Sequence, residues 1–264
     1  MARLSPGAAP GYARRVKSVD LIIPVYNEEK VLAQSVETLR AWCDVHLPYK
    51  WRVIVADNAS KDGTLAIAQR LAEEHPGDTG YVHLDQKGRG RALKRAWLES
   101  AADAMCYMDV DLSTDLSMIT PLLSAVLEEG YDIAYGSRVA KGSETTRSLK
   151  REINSRGYIT LFKLLFQAKF SDAQCGFKAI TREAAQALLP HVQDGEWFFD
   201  TELLVIAEKR GWRLKEVPVK WVEDPDTRTQ FPRDVIRMMS DAFRLRRRGW
   251  ADVPRRPAGT PSSG

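Results

Sequence analysis

The chain has 264 residues, and its 44% hydrophobic and 28% charged content is that of a globular protein with room for one large α/β core. A formal net charge of +4 is too weak to indicate nucleic acid as a partner. Three cysteines and four histidines, all widely separated, argue against a disulfide framework and a zinc site, and favour a reducing, cytoplasmic setting.

No segment predicts a secretory signal or a membrane span. Residues 1–17 carry four basic side chains with prolines and glycines but no apolar core, which predicts a disordered lead-in. The longest apolar segment, residues 158–166, is interrupted by Lys163 and falls short of the roughly 20 residues that a spanning helix needs. We therefore expect a protein that does not cross a membrane, although it can lie on one.

Strands and helices alternate through the first half of the chain. Short apolar runs bounded by turn residues predict five strands: Val19–Val25, Trp51–Ala56, Tyr81–Leu84, a run that starts at Ala104, and Asp132–Tyr135. Apolar stripes and capping residues predict the intervening helices: one capped by Asn27 that reaches about Cys43, one capped by Ser60 or Asp62, then Ala92–Ala101 and Leu116–Glu129. This order predicts an α/β fold with a doubly wound, mainly parallel sheet and helices on both faces.

The second half of the chain is less regular. A basic amphipathic helix is predicted over Leu149–Lys169, and it fits either a helix packed on the core or one that lies on a membrane interface. Further helices are predicted at Arg182–Leu189 and Trp197–Lys209, and a last one begins at Pro232. Residues 249–264, rich in proline, glycine and serine, predict a disordered tail.

Candidate ligand-binding residues follow the first four predicted strands: Tyr26–Glu28, Asp57, Gly88 with Arg89, and the pair Asp109 and Asp111. Parallel strands place their carboxyl ends at one edge of the sheet, where ligands bind in folds of this class, so we expect these residues to share a site. The two paired aspartates face the same way if both lie on the strand, and a turn can also converge them on one ligand. Their hard oxygens suit a Mg²⁺ or Mn²⁺ ion that holds a diphosphate.

Seven short stretches follow one another along the chain: Ile23–Glu29, Val55–Thr64, Met108–Asp111, Tyr135–Arg138, Asp172–Lys178, Phe199–Leu204 and Glu216–Trp221. In this order the chain resembles the family-two glycosyltransferases with a GT-A fold, and most closely their polyprenyl-phosphate branch, the dolichyl-phosphate glucose and mannose synthases. The likeness covers about residues 19–248. It implies a single GT-A domain over 18–248, with a nucleotide-binding N-terminal half and an acceptor-binding C-terminal half.

The resemblance also implies roles for individual residues. Those implied to bind the nucleotide sugar are Pro24, Val25, Tyr26, Asn27, Glu28, Asp57, Asn58, Lys87, Gly88, Asp109, Val110 and Asp111. Asp111 would be the main protein ligand of the metal ion, Mg²⁺ or Mn²⁺, and Asp109 a second ligand that also faces the sugar. The implied catalytic set is Asp109, Asp111, Arg138 and Asp172, and the acceptor phosphate would bind Arg138, Arg151, Lys178 and Arg228. The basic turn at residues 87–91 fits two interpretations equally well: a turn that helps to hold the donor diphosphate, or a solvated surface loop.

Two positions depart from the family's pattern. Polyprenyl-phosphate relatives often carry a Gly-Ser-Lys-like stretch after the strand that matches residues 217–221, whereas this chain continues with residues 223–228, in which Arg228 takes the place of the lysine. Relatives commonly carry an amide near the metal two residues after the second aspartate, and this chain has Ser113 there.

Together these features predict the inverting, metal-dependent transfer of one sugar from a nucleotide diphosphate sugar, of the UDP-glucose or GDP-mannose type, to a polyprenyl or dolichyl phosphate. A phosphate acceptor is already ionised near neutral pH, whereas a hydroxyl acceptor needs a general base, for which Asp172 is the best candidate. The basic helices predict peripheral attachment to the anionic cytoplasmic face of a membrane. Two alternatives remain: a transferase of the same fold that acts on a hydroxyl of a small molecule, polysaccharide or protein, and a non-catalytic membrane- or nucleic-acid-binding module that uses Arg244–Arg248.

Overall fold

The computed structural model describes residues 15–146, 162–222 and 231–258. In this part of the chain the strands are β1 (Ser18–Val25), β2 (Lys50–Asn58), β3 (Thr79–Leu84), β4 (Ala104–Met108), β5 (Ile133–Ser137), β6 (Glu144–Thr146), β7 (Phe177–Thr181), β8 (Leu214–Pro218) and β9 (Lys220–Val222). The helices are α1 (Leu32–His46), α2 (Thr64–Glu74), α3 (Arg89–Glu99), α4 (Ile119–Leu127), α5 (162–166), α6 (Arg182–Leu188), α7 (Phe199–Lys209) and α8 (Phe231–Arg248), with short 3₁₀ turns at Leu116–Met118 and Leu189–His191.

The main sheet has seven strands in the order β3-β2-β1-β4-β7-β5-β8. Only β7 is antiparallel to its neighbours, so the sheet is mainly parallel, as predicted. The chain leaves β1 toward β2 and β3 and then returns to β4 on the other side of β1. This reversal of strand order creates a crevice at the carboxyl ends of β1 and β4, where ligands bind in open sheets of this kind.

The sheet is covered by helices on both faces, which confirms that prediction. Alternate residues of β1 point to opposite faces: Leu21 and Ile23 pack with α1, α2 and α4, whereas Ile22 packs with α3, α6 and α7. Both apolar layers consist of side chains with almost no exposed surface, among them Leu39 on the first face and Trp97 on the second. The central strands are therefore buried on both sides, as a parallel sheet requires.

A second, two-stranded sheet pairs β6 with β9 and attaches to the loop that follows β4. Thr114 forms a bridge with Trp221, and the backbone amide of Val222 donates to the carbonyl of Ser113 at 3.0 Å. This small sheet therefore fixes the C-terminal end of the loop that carries Asp109 and Asp111.

Helix α1 begins later than predicted. Asn27 does not cap it, because its backbone is in the left-handed region with φ at 57° and the helix starts only at Leu32. The side chain of Asn27 accepts instead from the backbone amide of Lys61 at 2.8 Å, and the amide of Glu28 donates to Thr64 Oγ1 at 2.8 Å. These bonds join the loop after β1 to the loop after β2.

The predicted helix over Leu149–Lys169 lies partly outside the described residues, which include its helical turn at 162–166. There Phe162 and Phe166 are 3% and 2% exposed and pack in the core, whereas Leu164 is 75% exposed. The described part of this helix therefore packs on the core through its two phenylalanines, while the leucine between them faces outward. Among the described residues, no helix combines the length and the apolarity that a bilayer crossing requires.

Residues 249–258 of the predicted tail contact the rest of the domain. Val253 is buried, Trp212 Nε1 donates to the carbonyl of Pro254 at 3.1 Å, and Arg256 Nε donates to Asp132 Oδ2 at 2.7 Å. One buried valine and two hydrogen bonds therefore hold this part of the tail against the domain. Residues 259–264 and most of the predicted lead-in at 1–17 lie outside the described residues.

Candidate active site

The paired aspartates lie in a turn immediately after β4. The strand ends at Met108, and the amide of Leu112, whose φ is 51°, donates to the carbonyl of Asp109 at 3.2 Å. Asp111 is exposed, and its Oδ1 accepts from the amide of Ser113 at 3.0 Å. Of the two arrangements that the sequence leaves open, the structure therefore has the turn.

These two carboxylates suit a hard divalent cation that takes its other ligands from elsewhere. Within the described ranges no group of three or more histidine, cysteine, aspartate or glutamate side chains could hold a metal ion. Asp109 has 49% of its side chain exposed, so both aspartates can meet an ion from solvent. Mg²⁺ characteristically binds one or two carboxylates and completes its shell with water and phosphate oxygens. The donor set fits such an ion and does not form a closed protein cage.

Asp109 is joined to the interior by Arg89, the first residue of α3. One guanidinium nitrogen of Arg89, Nη2, donates to Asp109 Oδ1 at 2.9 Å, and the other, Nη1, donates to Asp200 Oδ2 at 2.9 Å. The guanidinium carbon lies 5.0 Å from the ring centroid of Tyr107 and 5.2 Å from that of Trp197. Arg89 therefore bridges the exposed turn after β4 and the first turn of α7, and two aromatic rings lie close to it.

Asp200 is the buried centre of this charge cluster. Its Oδ1 accepts from Tyr107 Oη at 2.5 Å and lies 3.1 Å from Lys178 Nζ. Burial alone would raise the pKa of Asp200, but the charges of Lys178 and Arg89 outweigh it and lower that pKa, so the carboxylate stays ionised. Burial, with the nearby charge of Asp200, raises the pKa of Tyr107 well above its ordinary value, so its hydroxyl stays a donor.

Lys178, predicted to bind the acceptor phosphate, is placed inside the protein. Its side chain is 0% exposed, and Nζ donates to the carbonyl of Cys175 at 2.6 Å as well as facing Asp200. An ammonium held in this way neutralises Asp200. The contact of Lys178 with an acceptor phosphate stays a prediction.

The nucleotide end of the predicted site lies at the carboxyl ends of β2 and β3. Asp57 is fully buried, and His83 Nδ1 lies 2.6 Å from its Oδ2. Asp57 Oδ1 is buried and finds no hydrogen-bond partner among the described residues. An unsatisfied buried acceptor costs about 1–3 kcal/mol, so this oxygen is suited to a donor N–H or O–H from a ligand.

Other predicted nucleotide-binding residues lie at the same edge of the sheet. Asn58 Oδ1 accepts a hydrogen bond from the amide of Gly88, and Lys87 Nζ lies 3.5 Å from the ring centroid of Tyr26. The remaining ones, placed at the ends of β1 and β4 beside these, are Pro24, Val25, Asn27, Glu28 and Val110. The structure thus brings the predicted nucleotide-binding residues to one edge of the sheet.

Arg138 and Asp172 form a buried ion pair on the acceptor side. Arg138 Nε and Nη2 donate to the two oxygens of Asp172 at 2.7 and 2.9 Å, and the arginine lies 5.6 Å from the ring centroid of Trp221. Burial alone would raise the pKa of Asp172, but the charge and hydrogen bonds of Arg138 lower it to about 2. Asp172 is therefore a poor general base near neutral pH. Arg151 and Arg228, the other predicted phosphate ligands, lie outside the described residues.

Sequence reasoning missed three residues that shape this site: Asp200, Gly176 and His83. Asp200 and Gly176 each stand in one of the seven matching stretches, and Arg89 is among the residues that the sequence places at the strand ends. Gly176 leaves room for the Asp109 carboxylate, because a Cβ at position 176 would lie 1.8 Å from Asp109 Oδ2. Nothing in the sequence indicates that His83 contacts Asp57.

The topology and the strand-end aspartates together are those of a GT-A fold. Residues 20–189 match the family model described as "Glycosyl transferase family 2", and the chain belongs to that family. It is 38% identical over 240 residues to glycosyltransferase AglD of Haloferax volcanii, which covers 90% of this chain but only 38% of the relative's length.

Two further comparisons bear on the branch and on the fold. The chain is 29% identical to dolichyl-phosphate beta-glucosyltransferase ALG5C of Trichomonas vaginalis over 85% of this chain and 69% of that protein. A crystal structure of glucosyl-3-phosphoglycerate synthase from Mycobacterium tuberculosis, with Mn²⁺, uridine diphosphate and glucosyl-3-phosphoglycerate, superposes with a TM-score of 0.64. The identity to it is 17%, with 94% of this chain and 88% of that one covered, so this likeness confirms the predicted fold.

Proposed function

We propose that this protein transfers one sugar, with inversion, from a nucleotide diphosphate sugar to a polyprenyl or dolichyl phosphate. The observation that carries the proposal is the gathering of Asp57, Lys87, Asp109 and Asp111 at the crevice where the strand order reverses. The similarity to a protein named as a dolichyl-phosphate beta-glucosyltransferase supports the choice of acceptor.

The donor would bind with its base toward Asp57 and its diphosphate toward Asp109 and Asp111. Asp57 Oδ1 would accept a hydrogen bond from the base or the ribose, which would supply the partner that this buried oxygen lacks among the described residues. Asp109 and Asp111 would hold Mg²⁺ or Mn²⁺, which when bound neutralises charge on the departing diphosphate. Lys87, beside Tyr26, would contribute a further positive charge, and positioning supplies much of the acceleration.

A phosphate acceptor suits this site better than a hydroxyl does. A hydroxyl must lose a proton to a base, and the pKa of about 2 deprives Asp172 of that role. A lipid phosphate attacks as an anion and needs only cations around it. Arg138 presents Nε and Nη2 to Asp172, which leaves Nη1 to face an acceptor phosphate, and Arg228 is the second candidate.

The protein would meet its lipid substrate as a peripheral protein at an anionic membrane surface. Ala242 and Leu245 of α8 are buried, whereas Phe243 is 54% exposed beside exposed arginines at 244, 246 and 247. Each such arginine contributes about 1 kcal/mol near an anionic surface, and an exposed aromatic ring adds apolar contact.

The experiment is a donor screen with a lipid phosphate. The purified protein would be incubated with undecaprenyl phosphate, Mg²⁺ or Mn²⁺, and each of UDP-glucose, UDP-galactose, UDP-N-acetylglucosamine and GDP-mannose, with Asp111→Asn as the inactive control. One donor should give a sugar product that partitions into organic solvent. If no donor is consumed and no nucleoside diphosphate protects the protein against thermal unfolding in the presence of metal, the non-catalytic alternative replaces the proposal.

A further inference from the structure

We propose that Arg89 makes the binding of the divalent cation depend on the nucleoside diphosphate. In the ligand-free protein Arg89 neutralises Asp109, so that the cation meets only one fully charged carboxylate, Asp111. The inference rests on the proposed function, since it concerns the cation that the donor would require.

Both carboxylate oxygens of Asp109 lie against other groups of the protein. Its Oδ1 is held by Arg89 at 2.9 Å, and its Oδ2 lies against the backbone of Gly176, where even a Cβ would come within 1.8 Å. A cation that approaches Asp109 must therefore share the carboxylate with a guanidinium, and like charges at such distances repel strongly. Asp111 has no arginine or lysine within salt-bridge distance among the described residues, and its recorded bond is to the amide of Ser113.

Arg89 is anchored on its other side. Its Nη1 donates to buried Asp200, and the rings of Tyr107 and Trp197 lie within about 5 Å of its guanidinium carbon, so these contacts hold it beside Asp109. The cluster contains two positive groups, Arg89 and Lys178, and two negative groups, Asp109 and Asp200, and so is neutral as it stands. A cation alone would leave it with excess positive charge.

A diphosphate changes this balance. It brings at least two negative charges to the same edge of the sheet, which compensate the charge of the cation. The cation and the diphosphate then favour each other's binding, and this coupling is reciprocal by thermodynamic necessity. Arg89 thus weakens metal binding by the free protein before the donor arrives.

The test is Mn²⁺ binding to the intact protein, measured by calorimetry or by the electron paramagnetic resonance signal of free Mn²⁺, with and without UDP or GDP. In the wild type, the nucleotide that binds should raise Mn²⁺ affinity by roughly tenfold or more, within the usual range of such couplings. Arg89→Gln should bind Mn²⁺ alone about fivefold more tightly than wild type and show a much smaller effect of the nucleotide. Lys94→Gln, which removes the same charge from α3 and whose ammonium donates to the carbonyl of Val192 rather than to Asp109, should behave like wild type.

A second variant keeps the test decisive if Arg89→Gln does not fold. Because Asp109→Asn leaves Arg89 with one counterion fewer, it should weaken Mn²⁺ binding more in the absence of nucleotide than in its presence, so that the effect of the nucleotide is larger than in wild type. An effect of the nucleotide in Asp109→Asn no larger than in wild type, or unchanged Mn²⁺ binding in folded Arg89→Gln, would overturn the inference. If the wild type binds no Mn²⁺ even with UDP or GDP, the failure is that of the proposed metal-dependent function itself.

Discussion

The Arg138–Asp172 pair makes a quantitative prediction about stability. Asp172→Asn leaves a buried guanidinium without its counterion, and breaking a buried pair in this way costs about 3–5 kcal/mol. The lowered pKa gives a second figure: a pKa of about 2 for Asp172, against the ordinary 3.8, corresponds to about 2 kcal/mol of stabilisation of the charged form. We therefore expect Asp172→Asn to lose about 2–5 kcal/mol, and a loss of 3 kcal/mol would lower the melting temperature by roughly 6–12 °C.

The pH dependence of this loss follows from the direction of the shift. Because the folded pKa lies below the ordinary value of 3.8, the contribution is fully present above about pH 4 and is lost as the pH falls toward 2. Urea unfolding of wild type and Asp172→Asn from pH 3 to 8 measures it. The difference between them should be constant above about pH 5 and shrink below pH 4.

Two controls separate the pair from a general effect of charge. Asp44→Asn, at an exposed position on α1, should change stability by less than about 0.5 kcal/mol. The double variant Arg138→Gln with Asp172→Asn should be less destabilised than the sum of the two single variants, because the second change removes an already unpaired group. A loss below 1 kcal/mol for Asp172→Asn, or strict additivity in the double variant, would refute the reasoning.

Three further predictions concern the metal, the sugar-facing aspartate and the membrane. Asp111→Asn should abolish turnover with an unchanged circular dichroism spectrum, since it removes an exposed anionic ligand; near-normal turnover in Mg²⁺ or Mn²⁺ contradicts the metal assignment. Gly176→Ala should lower turnover about a hundredfold by displacing the Asp109 carboxylate, and a variant with wild-type kinetics would show that this carboxylate need not be fixed. Charge reversal of Arg246 and Arg247 should reduce sedimentation with anionic liposomes at low salt, and undiminished sedimentation would exclude α8 as the attachment surface.

The location of the site could be read from the sequence because topology determines it. Short apolar strands alternating with helices imply a parallel sheet, and the polar residues that follow β2 and β4 must then meet at one edge. The contacts of Asn58 with Gly88 and of Tyr26 with Lys87 agree with that placement.

The charge cluster behind the site could not be read in the same way. Arg89 and Asp200 are 111 positions apart, and only the packing of α3 against α7 brings them within hydrogen-bond distance. Burial of Lys178 likewise depends on its partner, since a lysine enters a core only when an ion pair compensates its desolvation. The start of α1 was misplaced because Asn27 makes a bond to the neighbouring loop that competes with helix capping.

The central claim is that the acceptor is a lipid phosphate, and a matched pair of acceptors tests it most directly. Using the donor selected by the screen, with its sugar radiolabelled, the initial rate of transfer would be measured with dolichyl phosphate and with dolichol of the same chain length. We predict acid-labile, organic-soluble product with dolichyl phosphate and none above background with dolichol. Transfer to dolichol or to other hydroxyl acceptors, with none to the lipid phosphate, would contradict the claim and assign the fold to a hydroxyl-directed transferase.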